Sequence, residues 1–192
     1  MADSFLKIQL QHKGKLLKVQ GNKIELGSRL EKRLGDKGLL KKDVKEIAQM
    51  IKEKITSNIL TGKNYNGGNV PRNRKSTIEG KGFDKPLINT GKLSKSVIVA
   101  DEGGKVVVRM AKTSYSGGQT VAEVAGYLQE GTEDHWVRPK KKGGVLSFVL
   151  GGRRVFSKGH IVSGIKPMRF FGISKKDLNA FTKLVIKDRL FK

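Results

Sequence analysis

The chain has 192 residues, and its 40 Lys and Arg against 17 Asp and Glu give a formal charge of +23. That length holds one ordinary domain with extended arms, and a hydrophobic content of 36% supplies a modest core. The absence of cysteine from the sequence excludes disulfides, thiolate metal sites and cysteine nucleophiles, and aromatic residues at 6% are thin for a protein that stacks single-stranded bases.

Residues 5–26 read as short β segments, with Leu16–Val19 and Lys23–Leu26 on either side of the turn-like Gln20-Gly21-Asn22, so a β arm is expected over about 1–35. Within Met1–Leu10, Asp3 and Lys7 stand where a signal peptide needs an unbroken apolar run, and no stretch of 18 apolar residues occurs. Neither secretion nor a membrane partner is expected. From Leu39 to Leu60, Leu40, Val44, Ile47, Ile51, Ile55 and Ile59 recur at steps of three and four, which predicts an amphipathic helix stopped by Gly62.

Residues 62–83 shift to Gly, Asn, Lys and Arg around Pro71 and read as a flexible loop with too little apolar surface to order itself. A turn at Lys85–Leu93 enters the run Ser96–Ala100, and Asp101-Glu102-Gly103-Gly104 links it to Lys105–Met110. This valine-rich hairpin is expected at the centre of the sheet. A short helix is predicted over Val121–Glu130, with Val121, Val124, Ala125 and Leu128 on one side and Gly131 ending it.

A second flexible region is expected over about 134–160. Inside it, the short turn Gly151-Gly152 forces Val145–Leu150 and Arg153–Phe156 to pair antiparallel. The last element is a helix over Lys175–Arg189, capped by Ser174 with Asp177 three residues on, its Leu178, Phe181, Leu184 and Val185 sharing a face. Segregated helices and antiparallel strands give an α+β class. The expected architecture is a single domain over 1–192, an antiparallel sheet packed by the long helix of the N-terminal half and by the C-terminal helix, with long polar loops.

Reactive constellations are sparse. His12, His135 and His160 are far apart, and the densest set of possible metal ligands, Glu130, Glu133, Asp134 and His135, is more simply a charged loop capping a short helix. No Walker-type phosphate loop and no G-x-S-x-G elbow occur, and the carboxylates are too scattered for a hydrolytic pair. No catalytic, cofactor or metal site is assigned, and the chain is not expected to be an enzyme.

The cations cluster. Arg72, Arg74 and Lys75 lie in the first loop, Arg138, Lys140, Lys141 and Lys142 form a second group, and Arg153 and Arg154 sit at a hairpin tip. With Trp136 they make the candidate interface, since Trp and Arg are favoured at contacts. Such loops screen phosphates without reading bases, or rim a contact with an acidic protein.

Several short motifs fall in a telling order: Ser76-Thr77-Ile78, then Lys85-Pro86-Leu87-Ile88-Asn89-Thr90-Gly91-Lys92-Leu93, then Tyr127-Leu128-Gln129-Glu130-Gly131, then Lys166-Pro167-Met168-Arg169-Phe170-Phe171-Gly172. Together they resemble the phage virion morphogenesis family, the tail-completion proteins of Mu-like contractile-tailed phages, over roughly Lys23 to the end. Phe170 and Phe171 depart from the family's proline-aromatic-leucine step, and residues 135–160 show little likeness to it. Pro86, Leu87, Thr90, Gly91, Leu93, Gln129, Gly131, Pro167, Arg169, Phe170 and Gly172 are the fold-defining motif positions. The resemblance implies a structural protein of the virion neck, assembled in the host cytoplasm, that completes or caps the tail at its head-proximal end and supports head-tail joining. It implies a homo-oligomer, a six-fold ring, touching the tail tube or tail terminator and the head-tail connector. The basic clusters add nonspecific DNA contact to the expected partners. The alternative reading is a basic protein that binds nucleic acid without sequence preference.

Overall fold

The computed structural model describes residues 17–20, 23–26, 41–141, 143–150 and 152–190. The fold is α+β, as expected. A four-stranded antiparallel sheet has the order β1-β2-β4-β3, from β1 (Leu17–Gln20), β2 (Lys23–Leu26), β3 (Val97–Glu102) and β4 (Lys105–Met110). The N-terminal hairpin is therefore part of the main sheet, because β2 pairs with β4 in the register Lys23 to Arg109 through Leu26 to Val106. The β segments expected from residue 5 to residue 16, and residues 27–40, lie outside the described residues. Only half of the expected central hairpin is interior: β4 is flanked on both sides, and β3 has one described neighbour.

Helix α1 (Lys41–Thr61) packs across β3 and β4. Its Val44, Ile47, Ala48, Ile51, Ile55 and Ile59 are all buried, the helical stripe that the spacing predicts. They meet Val106, Val108 and Met110 from one face of β4, together with Val97, Leu93, Phe170 and Phe171. Asp43 in the first turn of α1 suits the positive end of the helix dipole. At the far end Gly62 follows the helix with φ 63°.

The segment 62–83 differs from the loop expected there. Lys63 bridges Asn69, the Asn64 carboxamide oxygen accepts the N–H groups of Asn66 and Gly68 at 3.0 Å each, and α2 (Lys75–Lys81) follows. Backbone and amide hydrogen bonds order this turn where apolar burial does not, and Val70 is its buried pin. A one-turn helix, α3 (Lys92–Lys95), then precedes β3.

Helix α4 (Val121–Glu130) has the predicted bounds. Thr120 and Glu123 close it in a capping box, each side chain bonding the other's backbone N–H. Helix α5 (Lys175–Leu190) packs on α1 rather than chiefly on the sheet, and Ser174 caps it by accepting the Asp177 N–H at 3.1 Å. Val185 is buried and Leu178 and Phe181 half-buried, but Leu184 is exposed, so the predicted apolar face is narrower than expected.

Residues 134–160 also carry more order than a flexible loop. β5 (His135–Val137) pairs with β8 (His160–Val162), and β6 (Leu146–Leu150) pairs with β7 (Arg153–Ser157) as the Gly-Gly turn predicts. The two pairings nest into one long hairpin. Residues 138–141 and 143–145 bulge on its outgoing strand, opposite Lys158-Gly159 on the return.

Candidate functional site

Two motifs that lie some 40 residues apart along the chain meet at the C-terminal end of α4. The Gln129 side chain is buried there, its Nε2 donating to the Phe171 carbonyl at 3.0 Å while its Oε1 accepts the Phe171 N–H at 2.9 Å. The Met168 N–H donates to the Leu128 carbonyl at 2.9 Å, and the Tyr65 N–H to the Arg169 carbonyl at 3.0 Å. Phe170 and Phe171 are buried below in an edge-to-face pair with centroids 6.5 Å apart. Gly172 admits the Tyr65 ring, which would stand 2.9 Å from any Cβ built there.

Gly131 sits at the same junction with φ 81° and ψ 178°, and a Cβ on it would lie 2.4 Å from the Ile165 carbonyl oxygen and 2.9 Å from Pro167 Cδ. A side chain is excluded twice, by conformation and by space. The segment after it, residues 132–134, is stitched to residues 164–165. The Thr132 N–H donates to the Ile165 carbonyl, the Thr132 hydroxyl accepts the Ile165 N–H, and the Asp134 carboxylate accepts the Gly164 N–H at 2.7 Å.

Leu87 to Leu93 of the proline-leucine motif line one wall of an open cleft of about 370 Å³. Leu87 and Leu93 are buried and Ile88 is half-buried, while Val124, Leu128 and Met168 supply the facing apolar wall. Thr90 lines the rim, and Gly91, with φ 73°, turns the chain into α3. The polar rim is occupied by the chain itself. Lys81 Nζ donates to the Lys85 carbonyl at 2.8 Å and lies 5.0 Å above the Phe83 ring; Lys92 Nζ donates to the Ser114 carbonyl and lies 5.3 Å above Tyr115. Partial burial holds the Lys81 ammonium below its ordinary pKa, against the opposing pull of Asp84, and raises that of the Tyr115 phenol. No carboxylate or histidine is among the residues lining the cleft; its titratable groups are Lys81, Lys92 and Tyr115.

Leu87 and Arg169 share an unusual backbone state, with φ 62° and 45°. The proline-leucine motif and the Lys166–Gly172 motif thus each hold one non-glycine residue in the left-handed region, a conformation that persists only where surrounding contacts over-determine it.

The candidate interface cations divide by environment. Arg74 is spent inside the chain, its guanidinium donating to the Ser163 carbonyl at 3.0 Å and to the Gly164 carbonyl, which ties residues 62–83 to the foot of the long hairpin. Arg72 and Lys75 are exposed nearby. Arg138, Lys140 and Lys141 are exposed in the bulge, and Arg153 and Arg154 at the tip; Lys142 lies outside the described residues. Trp136 is 54% exposed, its ring resting over Gly159, where a Cβ would stand 2.9 Å from it. The possible ligand set at Glu130–His135 does not converge: Asp134 turns to Gly164, His135 Nδ1 faces the Glu133 carbonyl, and no metal-holding group of three forms among the described residues. Burial raises the Glu130 carboxyl above its ordinary pKa.

No family model, curated protein or solved structure matches the chain.

Three features of the site lay beyond the sequence reading. The pairing of His135–Val137 with His160–Val162 spans a bulge that hides the register. Arg74 carries no local sign that it bonds a segment 90 residues on. The third had a signal: Thr120-x-x-Glu123 before an apolar run is a capping-box pattern. Among the described residues no helix is long and apolar enough to cross a membrane.

Proposed function

We propose that this chain is a structural protein of a phage neck, oligomeric in place, which completes the tail at its head-proximal end and has no catalytic role. The observation that carries the reading is the junction of Gln129 with Phe171. It makes the family-like motif positions architectural, joining two distant segments through backbone bonds rather than presenting reactive groups. The exposed Trp136, with Arg138 and Arg153 on the long hairpin, supports a contact role for the remaining surface. The test is particle composition with a null mutant. This chain is expected in stoichiometric amounts in purified tails, and its loss is expected to leave heads and tails unjoined. Normal, infectious particles formed without it would sink the reading.

A second reading, nonspecific nucleic-acid binding, is favoured by the exposure of Arg138, Lys140, Lys141, Arg153 and Arg154 on one hairpin. It requires duplex affinity that persists at about 0.15 M salt with a slope of several phosphates.

A further inference from the structure

We infer that the long hairpin, residues 135–162, is a docking arm whose outward face takes an acidic, apolar-bearing surface of a different protein chain. Among the residues between 130 and 167 whose side chains the structure describes, none is buried, and none belongs to the core cluster. Yet six of the ten large hydrophobic side chains that the described residues leave exposed lie within it. A two-stranded hairpin with bare apolar side chains is marginal in water, and a concentration of such residues marks a contact surface.

Register assigns them to a side. Trp136 pairs with Ile161, Ser147 with Phe156 and Val149 with Arg154, and all six are exposed. At the alternate positions Val137, Phe148, Val155, His160 and Val162 are half-buried, with the Phe148 and His160 rings 4.8 Å apart, while His135 and Arg153 at the two ends are exposed. The outward face is thus Trp136, Ile161, Val149 and Phe156, with Arg154 among them.

Charge chooses the occupant. Residues 131–167 hold eight Lys and Arg and two acidic residues. A second arm laid face to face would set like charges together, and a whole second copy at +23 is a poor complement. Nucleic acid would satisfy the cations but has no use for Val149 and Ile161, 68% and 62% exposed, because aliphatic side chains gain nothing from phosphates. An acidic protein surface with apolar side chains meets both needs. The arm is also held in place before contact, by the Thr132–Ile165 and Asp134–Gly164 bonds and the Arg74 tie at its foot, which lowers the ordering cost of docking. The inference rests on the assembly reading only in requiring a partner.

The experiment is zero-length carbodiimide coupling of the full chain, at natural abundance, in the cells that make it. Mass spectrometry then maps which carboxylates join Lys140, Lys141 or Lys158. The expected result is coupling to Asp or Glu of one different chain, reduced at least tenfold by the double substitution Trp136→Ser, Ile161→Ser, which leaves every lysine and the buried core in place. Coupling only between copies of this chain overturns the proposal, as does coupling that survives the double substitution. Arm lysines left uncoupled, whether or not ultraviolet light joins the arm to nucleic acid, overturn it too. The neck reading fails separately: a chain missing from purified particles but coupled through its arm sinks that reading and keeps this one, and a chain present in particles with its arm uncoupled does the reverse.

Discussion

Gln129 and Phe171 exchange two hydrogen bonds, side chain to backbone, as neighbouring residues in a β ladder do backbone to backbone. Only a carboxamide of this length offers both the donor and the acceptor. Gln129→Leu strands the Phe171 N–H and carbonyl in the core and is expected to destabilise the protein by about 2–4 kcal/mol in urea denaturation. Gln129→Glu keeps the acceptor and loses the donor at neutral pH. Its deficit relative to the parent protein is expected to shrink as the pH falls and the buried carboxyl takes up a proton, because the protonated acid can donate again. A deficit that does not change with pH would show that the carboxyl at residue 129 is neither desolvated nor in need of its proton in the fold, contrary to the buried junction.

Two glycines of the motifs separate conformation from space. Gly91, with φ 73°, has nothing within 4 Å of a would-be Cβ, so Gly91→Ala carries only the left-handed strain, about 1–2 kcal/mol. Gly131 adds a collision with the Ile165 carbonyl oxygen at 2.4 Å. Gly131→Ala is therefore expected to be the more damaging by several kcal/mol, or to prevent folding. Equal effects in thermal or chemical denaturation would contradict the close approach at residue 165.

Arg169 offers the opposite case. It is exposed, and its φ of 45° is one that glycine adopts freely. Arg169→Gly relieves that strain but adds unfolded-state entropy, so stability is expected to stay level or rise by about 1 kcal/mol. If assembly falls while stability holds, the side chain acts at a contact. A loss of stability above ~1 kcal/mol would mean that the Arg169 side chain holds the junction as well.

Most of the scaffold was legible because its signals are local. The isoleucine stripe of α1, the Gly-Gly turn before Arg153 and the Ser174–Asp177 cap each declare themselves within a few residues. The order in 62–83 was not, because it comes from Asn64 amide bonds and from Arg74 reaching Gly164, contacts without periodicity. The exposed side chain of Leu184 was equally hidden, since only the packing of α5 on α1 decides how wide a face is covered. The motif positions of the candidate site are recognisable in sequence, but that Gln129 answers Phe171 follows from tertiary proximity alone.

Glu102 clamps three strands. It bonds Lys23 of β2 at 2.8 Å and Arg109 of β4 at 2.7 Å from the end of β3. The hydrogen bond from Lys23, then that from Arg109, holds its carboxyl below the ordinary value of 4.5. Its folded pKa is depressed, so its contribution is fully present above about 4.5 and is lost as the pH falls through the lower folded value. The group is more than a third exposed, so screening limits the contribution to about 1 kcal/mol or less. Glu102→Gln is expected to differ from the parent protein by a constant amount above pH 5 or so, with the gap closing below the ordinary carboxylate value and narrowing in high salt. A gap that widens on acidification would reverse the sign and refute the clamp.

His160 is the one described side chain with a buried nitrogen, Nδ1, that lacks a hydrogen-bond partner. Its ring lies against Phe148 rather than against an acceptor. His160→Phe keeps the ring contact and removes the unmatched polar atom, so stability is expected to hold or rise by about 1 kcal/mol. A clear loss by hydrogen exchange at Val137 and Val162 would mean that the imidazole serves the arm through a bond that this geometry does not contain.

The arm itself allows the sharpest test of how the molecule is divided. His135 and Val162 are partners in register at its base, so their backbones are close enough for a two-residue turn to join the flanking chain. Replacing 135–162 by Asn-Gly keeps Asp134 and Gly164 bonded and leaves the Arg74 tie to Ser163 and Gly164 in place. Since none of the side chains described between 130 and 167 is buried, the shortened protein is expected to unfold within about 1 kcal/mol of the full chain, the scale of a marginal hairpin. Assembly and arm-mediated coupling should then be lost without loss of fold. If removal unfolds the sheet and α1, the hairpin belongs to the core after all, and its exposed Trp136 and Phe156 would need a structural rather than a contact role.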